Sequence, residues 1–229
     1  MKKQSLWAAI ALMIATAQGA CSSDDPVEAV AYDEAYQISY YDQPPYAKYK
    51  QGYWYTDENG QEIFCGLIPN TQPPYTLLVI PKGEKGMETI DYLTMKNFPN
   101  IQNVQQISEV DKHYLITTEK YFESPYLYVS DAYWVEGVDN GGIPIPGIIS
   151  KMMIHMKNGC DISSVESKYE GMLTNRKTHE WKENDPQWTY YLFDCNVKNS
   201  YEMLQLTEKV YHLDEVEWAE ADMYGVWYY

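Results

Sequence analysis

The sequence predicts an α+β protein, an antiparallel sheet of ferredoxin-like type with its helices on one face, and it predicts that plan twice. Three observations carry this. Residues 151–222 read in the order β-α-β-β-α-β, the split βαβ pattern. Residues 75–135 begin the same way, with strand, helix, strand, strand and a closing strand but no second helix, so the later copy is the clearer of a duplicated pair. The composition suits half-buried strands: aromatics make up 15% of the 229 residues, with 23 Tyr against 4 Phe, and Tyr joins an apolar body to a polar tip.

Taken in order, residues 1–20 form a signal peptide: Lys2 and Lys3, an apolar run over 6–16, then Gly19 and Ala20. The run is too short and too punctuated to span a membrane. Cys21 follows directly, and Gln18-Gly19-Ala20-Cys21 resembles a bacterial lipobox, with Gln18 departing from the usual small or branched apolar residue. The resemblance implies a lipidated Cys21 and a protein held at the membrane by acyl chains. The acidic Cys21-Ser22-Ser23-Asp24-Asp25 resembles a surface-export signal, which implies an outer-membrane, cell-surface location. Residues 21–45 are then the lipidated cysteine and a polar tether ending in Pro44-Pro45.

The segment 46–136 reads as the N-terminal α+β half. It opens on an aromatic hairpin, Tyr53-Trp54-Tyr55 and Glu62-Ile63-Phe64-Cys65 around Asn59-Gly60, whose glycine supplies the positive φ of a tight turn. A strand over 75–80, a helix over 87–96, strands over 101–107 and 112–118 and an aromatic strand over 126–135 follow. The Gly- and Pro-rich stretch 137–147 is the best domain boundary.

The segment 148–229 is the βαββαβ domain. Met152, Ile154 and Met156 alternate with Met153, His155 and Lys157, which gives a strand with one core face. Asn158-Gly159 turns the chain, and Asp161 is placed to cap a helix carrying Ile162, Val165, Tyr169 and Met172. Strands over 179–183 and 188–194 come next. Asn199 with Glu202 forms a capping box before a helix bearing Met203, Leu206, Val210 and Leu213. A strand over 216–221 closes the domain before an aromatic tail.

The chemistry-bearing residues are sparse. The net charge is −16, or −18 once Lys2 and Lys3 leave with the leader, and Arg176 is the only arginine. So acidic a chain is a poor nucleic-acid binder, and its charge favours solubility or a basic partner. The four histidines, His113, His155, His179 and His212, lack metal-type partners at helical spacing and read as structural. The carboxylates Asp214, Glu215, Glu217, Glu220 and Asp222 read as a solvated face. Beyond Cys21, Cys65, Cys160 and Cys195 leave two arrangements open: one disulfide with a free thiol, or three buried thiols. No serine-hydrolase elbow, phosphate loop or dinucleotide fingerprint occurs, so no catalytic residue, metal or cofactor is expected.

Residues 50–223 resemble the N-terminal pro-region of surface subtilisin-like serine proteases of Gram-negative anaerobes. The matching segments are the hairpin from Tyr53-Trp54-Tyr55 to Gln61-Glu62-Ile63, Tyr128-Val129-Ser130 with the apolar strand near Ile149, the aromatic strand ending in Asp194-Cys195, and the closing helix with Val216-Glu217-Trp218-Ala219-Glu220-Ala221-Asp222. The family continues into a catalytic domain, whereas this sequence ends at Tyr229, and Ala221-Asp222 lacks the usual proline. The resemblance implies a propeptide-like fold without the protease, which acts as an inhibitor or chaperone by docking its sheet on an enzyme. The tail residues Tyr224, Val226, Trp227, Tyr228 and Tyr229 are then the candidate partner-binding segment. The alternatives are a structural, adhesive or glycan-binding surface module, with Trp54 and Trp134 as stacking residues, or the remnant of a truncated protease.

Overall fold

A computed structural model describes residues 31–33, 35–95, 100–135, 145, 147–180 and 189–224. Over these residues the chain is α+β and mostly antiparallel strand. The first half contains β1 (Ala31–Asp33), β2 (Ile38–Tyr41), β3 (Gln51–Thr56), β4 (Glu62–Pro69), β5 (Tyr75–Pro81), α1 (Gly83–Met95), β6 (Ile101–Ser108), β7 (His113–Thr118), β8 (Tyr121–Glu123), β9 (Leu127–Asp131) and β10 (Tyr133–Val135). The second half contains β11 (Ile148–Met156), α2 (Ser163–Lys168), β12 (Leu173–Glu180), β13 (Thr189–Cys195), α3 (Ser200–Tyr211) and β14 (Val216–Met223). The strands form two three-stranded sheets, β1-β2-β8 and β10-β4-β3, and two four-stranded sheets, β6-β7-β5-β9 and β12-β13-β11-β14.

The β3–β4 hairpin forms as its turn chemistry requires. The Asp57 carboxylate accepts from the backbone N–H of Asn59 (2.9 Å) and of Gln61 (2.7 Å), and Gly60 sits at φ +77°, a region that penalises any side chain. Tyr53 lies opposite Cys65 and Trp54 opposite Phe64. The first helix starts four residues before the expected Met87, because the apolar spacing that marks it begins only at Met87 whereas its first turn is Gly83-Glu84-Lys85-Gly86. Ile90 and Leu93 bury its inner face.

Three expectations in this half change. The aromatic stretch 126–135 is two strands in two sheets: β9 pairs with β5, and after Ala132 the chain crosses so that β10 pairs with β4. Apolar patterning that continues through Tyr133 and Trp134 hides such a crossing, although β9 is buried throughout and Trp134 of β10 is exposed. A short strand, β8, appears where none was expected and pairs with β2. The stretch read as a tether ends inside the fold, since β2 buries Ile38 and Tyr40 beside Phe122. Its first part, with the leader and Cys21, lies outside the described residues, as does most of the expected boundary 137–147.

In the second half, β11 runs at the centre of its sheet with Met152, Ile154 and Met156 on the inner face, as alternation requires. The expected helix over 162–172 is a short one, residues 163–168. Asp161 accepts from the Ser163 backbone N–H (3.1 Å) and hydroxyl (2.6 Å). Val165 is buried, but Met172 lies in the following turn with 40% of its surface exposed. That early end lets β12 start at Leu173, six residues before the expected strand. The long helix is well founded. Asn199 Oδ1 accepts from the Glu202 N–H (3.0 Å), and the Glu202 carboxylate reaches back to the Lys198 N–H (2.9 Å), one residue further than a capping box normally closes.

Two buried clusters hold the chain together. One joins β2, β8, α1 and the β5, β7 and β9 faces. The other combines Met152, Ile154, Val165, Phe193, Met203, Leu206 and Val210 with Leu67, Tyr128 and Tyr133 of the first half. Apolar burial therefore runs across the glycine-rich boundary.

Candidate functional site

Of the sequence-predicted site residues, Cys21, Val226, Trp227, Tyr228 and Tyr229 lie outside the described residues. Tyr224 is half-buried: its N–H donates to the Gly147 carbonyl (2.9 Å) and its ring meets His113 edge-on at 6.0 Å. His113 itself is buried, which pushes its imidazole below the ordinary range. The cysteines follow neither expected arrangement. All three described thiols are free, with Cys160 exposed, Cys65 half-buried and Cys195 buried, its thiol pushed up to about 12 by burial.

Two surfaces concentrate functional side chains. The first is the outer face of the second four-stranded sheet. Residues that alternate away from the core on β11 are Lys151, Met153 and His155, and strand register sets others beside them. His155 stacks on Trp218 at 5.7 Å, His179 stacks on Tyr190 at 5.1 Å, and Tyr190 lies 6.5 Å from Trp218. One transverse row thus crosses all four strands. The His155 ring is held at both nitrogens, with Nδ1 2.6 Å from the Thr189 carbonyl and Nε2 3.2 Å from Glu217. The next row carries the half-buried Leu192, Met153 and Glu220. Burial, and then the neighbouring Asp222, raises the Glu220 carboxyl above its ordinary range. Asp222 is raised likewise by burial, with Lys151 opposing.

The second surface is a cleft of about 910 Å³ between the β3–β4 hairpin, the C-terminal end of α3 and β14. Both β3 and β14 are edge strands, each hydrogen-bonded on one side only among the described residues. Trp54 is fixed in the wall by an indole N–H that donates to Glu208 (3.1 Å) and by edge contacts with Phe64 and His212, each at 5.2 Å. Thr56 and Tyr211 hydroxyls meet at 2.7 Å and tie the hairpin to the helix. Asp57, Glu62, Asp214, Glu217 and Glu220 line the cleft, against Lys157 as its one lysine. The sequence marked Trp54 and the carboxylates of 214–222 separately. Nothing local to either segment indicates that they face one another across two unpaired edges.

A strongly perturbed carboxyl belongs to neither surface. Asp131, the last residue of β9, is fully buried, and desolvation pushes its carboxyl up to about 8. Neither oxygen has a hydrogen-bond partner among the described residues. Tyr46 lies close enough to oppose the shift, but its hydroxyl is bonded to Tyr121 at 2.6 Å, while the Tyr133 hydroxyl is shared between Gln51 and Ser200. Among the described residues no cluster of three or more His, Cys, Asp or Glu is placed to hold a metal ion.

The fold and its surfaces define a mixed α+β protein whose chemistry-bearing side chains are spread over a sheet face and a strand-edged cleft. Comparison with protein-family models, with curated proteins and with solved structures gives no match.

Proposed function

We propose that the chain is a non-enzymatic, lipid-anchored surface protein of subtilase pro-domain-like architecture that binds, and thereby inhibits or chaperones, a protease. Strand order supports the architecture. The elements β11, α2, β12, β13, α3 and β14 are arranged as β12-β13-β11-β14, the ferredoxin-like permutation of a split βαβ. The elements β5, α1, β6, β7 and β9 are arranged as β6-β7-β5-β9, the same permutation, with β8 in place of the second helix. We read this as an internal duplication.

The observation that carries the binding role is the outer face of the second sheet. Tyr190, Leu192, Met153 and Trp218 lie half-buried there on rigid strands, and β14 leads from this face into the C-terminal segment. Aromatic anchors on a pre-ordered surface are what protein partners use. The test is titration of the full chain against a subtilisin-like protease, read by cleavage of a chromogenic peptide and by size-exclusion chromatography. Inhibition weakened by Trp218→Ala and by removal of residues 225–229 is expected. Neither inhibition nor a complex at micromolar concentration would sink the proposal. Membrane attachment is tested by metabolic labelling with a fatty-acid analogue, which Cys21→Ala should abolish.

One observation favours glycan binding as a second reading. Trp134 and Ile68, opposite each other on β10 and β4, are 42% and 52% exposed and form an open apolar platform. Trp54 does not extend it, for its ring is enclosed by Phe64 and His212. A glycan-array signal lost in Trp134→Ala and kept in Trp54→Ala would support that reading.

A further inference from the structure

We infer that the cleft between β3 and β14 binds an extended, cationic segment of another polypeptide, added as a strand along the free edge of β14. The inference goes beyond the sheet-face reading and does not rest on it.

An edge strand presents unpaired N–H and C=O groups in alternation, and an extended chain laid beside it satisfies them. Here two such edges border one cleft, with the end of α3 beneath them. The part of β14 that lines the cleft, residues 216–220, spans about 17 Å at the usual strand rise, room for five residues of an added strand.

The charge decides what kind of strand fits. Lys157, the one lysine in the cleft, already donates its ammonium to the Asp214 carbonyl at 2.8 Å. Glu217 is shared with His155, whereas Glu220 is half-buried and has neither a hydrogen bond nor an ion pair among the described residues. A Lys or Arg placed beside Glu220 relieves a carboxylate held in an unfavourable place, and Tyr55, 43% exposed at the rim, offers a ring face to a neighbouring cation. The same carboxylates repel the β14 edge of a second copy, so the occupant is a different, basic chain.

The experiment uses the full chain and a fluorescein-labelled decapeptide of alternating Lys and Val, with a Glu–Val decapeptide as control. Fluorescence anisotropy should give saturable binding of the Lys–Val peptide, and amide hydrogen exchange of residues 216–220 should slow on binding. Glu220→Gln should weaken binding about tenfold, as expected for loss of a charge-assisted pair, while Glu84→Gln, exposed in the first turn of α1 and outside the cleft lining, should leave it unchanged. N-methylation of alternate peptide residues should abolish binding in at least one of the two phases. The inference is overturned by no binding, by equal weakening in both Glu variants, by tolerance of N-methylation in both phases, or by protection that falls outside β14. Retained protease inhibition alongside any of these outcomes would leave the sheet-face proposal standing.

Discussion

Replacing Asp131 by Asn should stabilise the protein, and by more as the pH rises. The carboxyl is 0% exposed, sits at about 8 against an ordinary 3.8, and shares its buried surroundings with Tyr46, Tyr121, Tyr133 and Tyr75, with the Glu123 carboxylate adding to the rise. The sign follows from proton binding. The unfolded chain releases this proton near 3.8 while the native state keeps it to about 8, so stability is full below 3.8, falls between these values, and is constant above. At about 1.4 kcal/mol per pH unit, the interval from 3.8 to 7 corresponds to about 4 kcal/mol, which a neutral amide of the same shape does not lose. Urea unfolding of wild type and Asp131→Asn at pH 4, 6 and 8 measures this. The two should coincide near pH 4 and separate steadily above it, with unchanged m-values. Glu123, Glu220 and Asp222 are also raised by burial, so the difference between the two proteins, and not the wild-type curve alone, isolates Asp131. A constant offset at every pH, or a variant less stable at pH 8, would refute the reasoning.

Other substitutions probe the frame around it. Asn199→Ala removes both the cap on the Glu202 N–H and the 2.8 Å bond from Asn199 Nδ2 to the half-buried Glu123. It should cost about 1–2 kcal/mol, read as a lowered Tm in calorimetry. Gly147→Ala sets a methyl 2.6 Å from Leu78 Cβ and 3.2 Å from the Ser130 hydroxyl, and should cost about 1–3 kcal/mol by chemical denaturation. Ellman's reagent should titrate Cys160 in the native protein within minutes and leave Cys195 unmodified until denaturant is added, because that thiol is buried and pushed up to about 12.

Much of the secondary structure was legible because local chemistry and tertiary packing agree. Asn59-Gly60, the alternation of Met152, Ile154 and Met156, and the Asn199 cap each specify their element within a few residues. The misreadings occur where a distant partner decides. Nothing within 126–135 shows that Tyr133 leaves for β4, because that break depends on a hairpin sixty residues earlier and on Ile145, which exchanges two backbone hydrogen bonds with Tyr133 at 2.8 and 2.9 Å. β2 looked like solvent-exposed tether because its burial is supplied by Phe122. The cleft was illegible for the same reason: its walls, Trp54 and Glu220, are 166 positions apart in the sequence. Asp131 gave no signal beyond an acid at the end of an aromatic strand.

The close approach of Gly147 to Leu78 has a consequence for dissecting this protein. Gly147, just before β11, abuts the Leu78 side chain of the first four-stranded sheet, Ile148 is hydrogen-bonded to Ser130 and Tyr128 of that sheet, and Leu67, Tyr128 and Tyr133 complete the cluster beneath α3. Scission of the chain within 137–146 would therefore yield two fragments that each expose a large part of one shared interior. Such fragments should be poorly soluble when expressed singly and should reassemble when co-expressed, the behaviour a split reporter needs.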